Sequence, residues 1–428
     1  MLNHTNELID TSLSKLCRNV TNTDGDSFVG IRFDWNEGNS NFDIIITFPL
    51  GYRIAQDNET VRDDILTLIS TLQANEDKKA PLFNQDDNSA AKNYSFPMQA
   101  YIDIMYDYLD RGGYYVEQDE IYISSNSGRV NWNRTIRHES PIVQKNGLVY
   151  LTMQVRRHNE TDRNLITEIS KYCVYESFLK LGWLYKYGLP PKPTTAFNKN
   201  LFLSVLREKL SITHKDRDKR LIQNMIDIIL FLDKLPQQEQ SFNFGTNRFE
   251  YIWERLIDSV FGVKNKDDYF PKSTWQLFFN DSKNNSSLQP DTILKADDFI
   301  VLDAKYYRYG ETALPIHLPH SASINKQITY GEHIFENHKD EGEVYNAFLM
   351  PFNNNHHIFS TLSNYSTIGI AKSEWKKNDK PHELVLGVLV DVKHLMSVKV
   401  KPNHNEIHEL SEIISNKIKE HLVAPETP

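Results

Sequence analysis

Residues 289–307 read QPDTILKADDFIVLDAKYY. Two strand-like runs, TILK (292–295) and FIVLDAKYY (299–307), flank Ala296, Asp297 and Asp298, which have the length of a three-residue hairpin loop. Pairing Lys295 with Phe299 sets residue 293 opposite 301 and Asp291 opposite Asp303. Side chains opposed on one face of a sheet have Cβ atoms roughly 4.5–5.5 Å apart. Asp303 and Lys305 are two positions apart and share that face, while Ile300, Leu302 and Ala304 line the other, buried one.

Two opposed carboxylates repel each other. A divalent cation between them removes the conflict, and carboxylate and carbonyl oxygens are the hard ligands that Mg2+ prefers. Asp291, Asp303 and the carbonyl of Ala304 are therefore the expected metal ligands. Lys305, a compact point charge, would steady an attacking water or a phosphate. The set suits metal-assisted phosphodiester hydrolysis, in which the ion lowers the pKa of water and neutralises charge developing in the transition state.

A third acid is expected from the preceding helix. FEYIWERLIDSVFG (249–262) carries Phe249, Ile252, Trp253, Leu256 and Val260 on one stripe, with Glu250 and Glu254 one turn apart beside it. The helical wheel sets Glu250 slightly nearer the apolar edge, and both acids remain candidates. Downstream, SINKQITYGEHIFENH (323–338) reads as a helix that offers Lys326, Gln327 and Tyr330. A hairpin bearing Asp and Lys is common on protein surfaces. The apolar strand, the opposed register, the helix acid and the downstream helix together make the pattern selective.

The rest of the chain bounds the answer. Its 428 residues suffice for two or three domains. A net charge of −9 advertises no broad basic surface, so any nucleic-acid contact would be local, metal-assisted or shared with a partner. Cys17 and Cys173 are the only cysteines, which excludes a disulfide framework or a Cys-based zinc ribbon and fits a reducing cytoplasm. No signal-peptide core or membrane-length apolar run is present, so a cytoplasmic chain without membrane contact is expected. There is no G-x-x-x-x-G-K-[ST] phosphate loop, so the chain should not hydrolyse nucleotide itself.

The expected fold class is α+β multidomain. Residues 1–120 form a mixed α/β region for partner docking or DNA contact, 121–240 a largely helical middle region, and 241–428 an α/β domain with a mixed central sheet. FDIIITFPL (42–50) reads as a strand, VRDDILTLISTLQ (61–73) as a helix and 75–93 as an exposed loop. A helix at PMQAYIDIMYDYLD is followed by a strand pair around YYVEQDEIYISSNSG and a strand at LVYLTMQVRR. Helices are expected over 163–185, where Ile166, Ile169 and Cys173 have helical spacing, and over 214–234. YNAFLMPF (345–352) and HELVLGVLVDVKHLM (382–396) read as core strands.

Other candidates are weaker. HKDRDKR (214–220) alternates in sign and reads as a solvated helix face. Arg129, Trp132, Arg134 and Arg137 suit a nucleic-acid surface, or equally a strand-turn with a packed Trp. His317 with His320, and His356 with His357, lack partner ligands for zinc. Cys17 and Cys173 lack any activating neighbour and are expected to be structural.

Asp291, Asp303 and Lys305 match the motif of the PD-(D/E)xK (restriction-endonuclease-like) nuclease superfamily. More widely, the chain resembles the LlaJI family of restriction endonucleases, relatives of the McrC nuclease subunit. The resemblance rests on FVGIRFDW with ITFPLGYRI, on GRVNWNRTI (128–136), on FGTNRFEYIWERLIDSVFG, and on P-D…D-A-K-Y-Y followed by K-Q-x-x-Y. It favours Glu254, in the W-E pair, as the helix acid and metal ligand, with Gln327 in support. It implies Mg2+-dependent cleavage of foreign double-stranded DNA, beside a separate McrB-like AAA+ GTPase subunit. The rivals are an interaction subunit that mainly stimulates and organises the GTPase, and an autonomous PD-(D/E)xK nuclease of repair or transposition.

Overall fold

In the computed structural model, Lys295 pairs with Phe299, Leu294 with Ile300, Ile293 with Val301 and Thr292 with Leu302, the register expected. The structure describes residues 12–23, 25–36, 41–75, 96–116, 118–145, 147–160, 165–234, 242–279, 283–284, 288–338, 340–355, 358–359, 361, 363–398 and 404–423. The chain divides into two compact units, one of residues 12–95 and 241–428, the other of 96–240 with 1–11. The expected boundary at 120 differs from this division. The cause is a strand pairing: Val29–Asn36 runs antiparallel to Phe242–Thr246, so the N-terminal segment completes a sheet with residues beyond 240.

Among the described residues, the unit that contains the hairpin holds a four-stranded sheet, a five-stranded sheet and a two-stranded ladder. β1 (Cys17–Asn19), β2 (Val29–Asn36) and β3 (Asn41–Phe48) precede helix α1 (Asn58–Ala74), and β4 (Phe242–Thr246) follows the other unit. Their order is β1-β3-β2-β4. After β4 come α2 (Phe249–Phe261), the short strands β5 (Thr274–Trp275) and β6 (Lys283–Asn284), and the hairpin strands β7 (Thr292–Lys295) and β8 (Phe299–Ala304). The chain continues through α3 (Tyr309–Thr312), α4 (Ser321–Asn337), β9 (Val344–Phe352), β10 (Tyr365–Ala371), β11 (Val385–Asp391), α5 (Val392–Ser397) and α6 (His404–Val423). The second sheet has five strands in the order β7-β8-β9-β11-β10. β8, β9 and β11 are parallel, and the edge strands β7 and β10 are antiparallel to their neighbours.

Every residue of β8 is buried, not only the even-numbered face. Parallel strands covered on both sides read as unbroken apolar runs, which explains FIVL. One side of the sheet meets α4, where Val301 and Phe299 cluster with Tyr330 and Ile334. Gly331 lets that helix come close, since a Cβ there would lie 2.5 Å from Nδ2 of the buried Asn346. On the other side the apolar stripe of α2 is buried, and Phe249 and Trp253 have ring centroids 5.3 and 6.3 Å from Tyr306.

The N-terminal sheet is tied to the end of β8. The Leu50 N–H donates to the Tyr306 hydroxyl at 2.6 Å in the interior, and the Gly51 N–H donates to Glu311 at 3.1 Å. Tyr306→Phe is expected to cost about 1–3 kcal/mol, because a buried N–H loses its partner while the ring packing stays. Urea unfolding of the two proteins checks this, and equal stabilities would mean that the bond carries no net weight.

The other unit carries helices Met98–Arg111, Leu165–Tyr185, Lys199–Ile212 and Asp216–Lys234. Its 121–164 part is less helical than expected. Gln118–Ser125, Met153–Glu160 and Arg129–Val130 form one sheet, and Ile142–Gln144 pairs with Gly147–Val149 in a hairpin. The segment YYVEQDEIYISSNSG thus supplies one strand, whose partner is Met153–Glu160, rather than a strand pair. The loop expected over 75–93 lies outside the described residues from 76 onward.

Candidate active site

Asp291 lies one residue before β7, and the β7–β8 register carries it opposite Asp303. The Ala304 N–H donates to Asp291 Oδ2 at 2.9 Å, so the backbone of the second strand grips the first acid. Asp303 is buried, and its Oδ2 pairs with Lys305 Nζ at 2.6 Å. Burial, then the charge of Asp303, then that of Glu254 push the Asp291 carboxyl up to about 8. Burial opposes the Lys305 ammonium, but Asp303 and Asp291 outweigh it and hold the lysine above its ordinary range.

The two helix acids separate. The charge of Glu254 is felt at Asp291, whereas that of Glu250 is felt at Tyr306. Burial raises the pKa of Glu250, partly offset by Arg248. Gln327 is buried, and its amide donates to the Val301 carbonyl at 2.7 Å, propping β8 two residues before Asp303. Tyr330 donates its hydroxyl to the Gln289 carbonyl at 3.2 Å, and Lys326 lies 5.4 Å from the Tyr330 ring.

Sequence reasoning missed Lys266. Its ammonium donates to the Asp291 carbonyl at 2.9 Å and pairs with Asp258 at 2.6 Å, while the Thr292 hydroxyl also donates to Asp258. Asp258 follows Glu254 by one helical turn, so α2 holds the backbone of Asp291 through Lys266. No local pattern marks Lys266, because its partner is a main-chain oxygen far along the chain.

Among the described residues, no group of three or more His, Cys, Asp or Glu donors is gathered into a ready metal site. The donor set nonetheless fits Mg2+, which is commonly held by one or two carboxylates and keeps several waters. Asp291 and Asp303 would supply those carboxylates, and the Ala304 carbonyl follows Asp303 directly in the chain. The raised carboxyl of Asp291 marks negative charge that Lys305 does not fully compensate.

The weaker candidates also find places. Arg217 pairs with Asp107 and Asp110, and Arg111 with Asp218, so part of the HKDRDKR run is engaged in ion pairs. Trp132 is 56% exposed rather than packed, and the Arg134 guanidinium lies 4.3 Å from the Tyr122 ring. His317 Nδ1 bonds the Thr312 hydroxyl at 2.6 Å, and His356 and His357 lie outside the described residues. Burial raises both thiols, Cys17 to about 12 and Cys173 further, so neither is a thiolate nucleophile. Among the described residues no helix is long and apolar enough to cross a membrane.

The family model of the LlaJI restriction endonuclease matches residues 39–371. The chain belongs to the LlaJI restriction endonuclease family. That span takes in the hairpin, α2, α4 and most of the second unit. A curated relative of this LlaJI-family chain is the type II restriction enzyme BsuMI component YdjA of Bacillus subtilis (strain 168). It is 25% identical over 276 residues, which cover 58% of this chain and 57% of that protein. The match therefore spans little more than half the relative's length. A solved structure with similarity is a half-complex of Thermococcus gammatolerans McrB AAA+ hexamers with bound McrC. It is 16% identical with a TM-score of 0.38, covering 91% of this chain and 83% of that one.

Proposed function

We propose that this chain is a Mg2+-dependent endonuclease of the PD-(D/E)xK type that cleaves double-stranded DNA as the nuclease subunit of a restriction system, with an AAA+ GTPase as partner. The observation that carries this reading is the opposed pair Asp291 and Asp303 at the end of β8, with Lys305 paired to Asp303 at 2.6 Å. Asp291, Asp303, the Ala304 carbonyl and Glu254, the last through water or directly, would hold the ion. When bound, the ion supplies a water of lowered pKa and neutralises charge on the phosphate. Lys305, paired to Asp303, would orient the attacking water or the phosphate oxygen with its ammonium. Gln327, Tyr330 and Lys266 keep the two strand ends in place through the backbone.

The GTPase partner is supported by the family, by the missing phosphate loop and by a net charge of −9, which suits a subunit brought to DNA by another protein. A second reading has one observation of its own. In the hairpin of the other unit, Val143 is 78% and Leu148 59% exposed, an apolar surface suited to a protein partner. An interaction subunit that mainly stimulates the GTPase would use it.

Plasmid cleavage with Mg2+, comparing the native chain and Asp303→Asn with and without a McrB-like GTPase plus GTP, tests both. Cutting by the native chain alone among the two, and only with GTPase and GTP, is expected. Cutting that survives in Asp303→Asn would sink the hairpin site. No cutting with GTPase stimulation intact would favour the interaction subunit, and cutting without the GTPase an autonomous nuclease.

A further inference from the structure

A short arm stands immediately upstream of Asp291. Thr274 pairs with Asn284 and Trp275 with Lys283. The Leu288 N–H donates to the Pro271 carbonyl at 3.0 Å, closing the base of the arm three residues before Asp291. Beyond this short ladder the arm carries Phe278 and Phe279, which are 95% and 96% exposed, with Trp275 at 60%. Adjacent phenylalanines left in water mark an interaction site rather than ordinary surface.

The setting indicates what they meet. In the sequence, Lys272 and Gln276 precede the aromatics, and residues 270–288 hold two lysines against one acid, in a chain of net charge −9. Cations and amides beside exposed rings are the composition that meets phosphates and base faces. The base of the arm, at Leu288, lies three residues from Asp291 in the chain, where the reading above seats the scissile phosphate.

We propose that Phe278 and Phe279 form a wedge that enters the DNA next to the scissile phosphate and unstacks a base step, positioning the strand against Asp291 and Asp303. This rests on the nuclease reading. The two phenylalanines are positioning residues: the bases they separate cannot slide past the carboxylates, and the opened step exposes the phosphate.

The test titrates the full-length chain against a short duplex carrying 2-aminopurine at spaced adenines, in Ca2+ so that binding is read without turnover. Anisotropy of an end label reports binding in parallel. The native chain is expected to raise 2-aminopurine fluorescence severalfold on binding. Phe278→Ala with Phe279→Ala should bind about tenfold more weakly and leave the fluorescence at the free-duplex level. Replacing both by Trp should keep the signal, and Phe279→Ala alone serves if the double variant does not fold. Native binding without a fluorescence change, or a signal that persists in the Ala variants, would overturn the wedge and leave the nuclease reading intact. A change of mass in light scattering with an unchanged fluorescence response would also overturn it, by making the arm a self-association surface. Native protein that neither binds nor cuts DNA, with or without the GTPase, would remove both readings.

Discussion

Asp291→Asn is expected to raise the melting temperature of the metal-free protein at pH 8 by on the order of 5 °C, while reducing Mg2+-dependent cleavage about a thousandfold or more. The two effects have one origin. Burial, Asp303 and Glu254 hold the Asp291 carboxyl up to about 8. The unfolded chain releases that proton near pH 4. Between these values the folded protein binds a proton that the unfolded one does not. The stability it contributes is therefore full below about pH 4 and is lost as pH rises through about 8. The amount is on the order of a few kcal/mol. Asn cannot ionise, yet its side-chain oxygen can still accept the Ala304 N–H, so the variant keeps the grip and loses the slope.

Calorimetry in EDTA at pH 5 and pH 8 reads this as a difference of differences, which cancels the other titrating groups. The native protein should lose stability between the two values and Asp291→Asn much less. Mg2+ should restore the native protein at pH 8 and do little for the variant, because the ion takes ionised carboxylates. Parallel pH slopes for the two proteins would show that Asp291 does not carry the charge conflict, and the proposal that it is a metal ligand would fall with it.

The hairpin was legible because two local rules fix it. A three-residue loop sets the register, and a period of two sets the face, so Asp291, Asp303 and Lys305 follow from the string alone. The helix acid was less legible. Glu250 and Glu254 both flank the apolar stripe of α2, and only the packing of that helix makes the charge of Glu254 felt at Asp291 and that of Glu250 at Tyr306. That residues 12–95 belong with 241–428 was not legible. β2 and β4 are paired across the whole of the other unit, and neither strand carries a local sign of its partner. The same holds for Lys266, and for the hydroxyl of Tyr306, whose partner is the Leu50 backbone. Gln327 was found by its place in K-Q-x-x-Y, but its bond to the Val301 carbonyl gives it a propping role that a motif does not show.

Trp253→Ala is expected to cost about 3–5 kcal/mol, the largest loss of stability from a single side chain in this unit. Trp253 is fully buried and packs on Tyr306. Its indole N–H donates to the Leu349 carbonyl at 3.3 Å, the same oxygen that accepts the Lys305 N–H at 2.9 Å. One carbonyl on β9 therefore joins the helix that bears Glu254 to the residue that bears the lysine. Removing the ring opens a cavity between α2 and the sheet, which α2 can fill only by shifting, and a shift moves Glu254. Trp253→Phe separates the two consequences. It fills most of the volume and leaves the Leu349 carbonyl its bond from Lys305, so the cost should be about 1 kcal/mol. Urea unfolding checks both values, and cleavage by Trp253→Phe checks the geometry: a fall of about tenfold in kcat with KM unchanged is expected, since the substrate still binds but the acid is misplaced. If Trp253→Ala cost less than about 1 kcal/mol, the packing of α2 on β8 and β9 would not be what fixes the proposed position of Glu254.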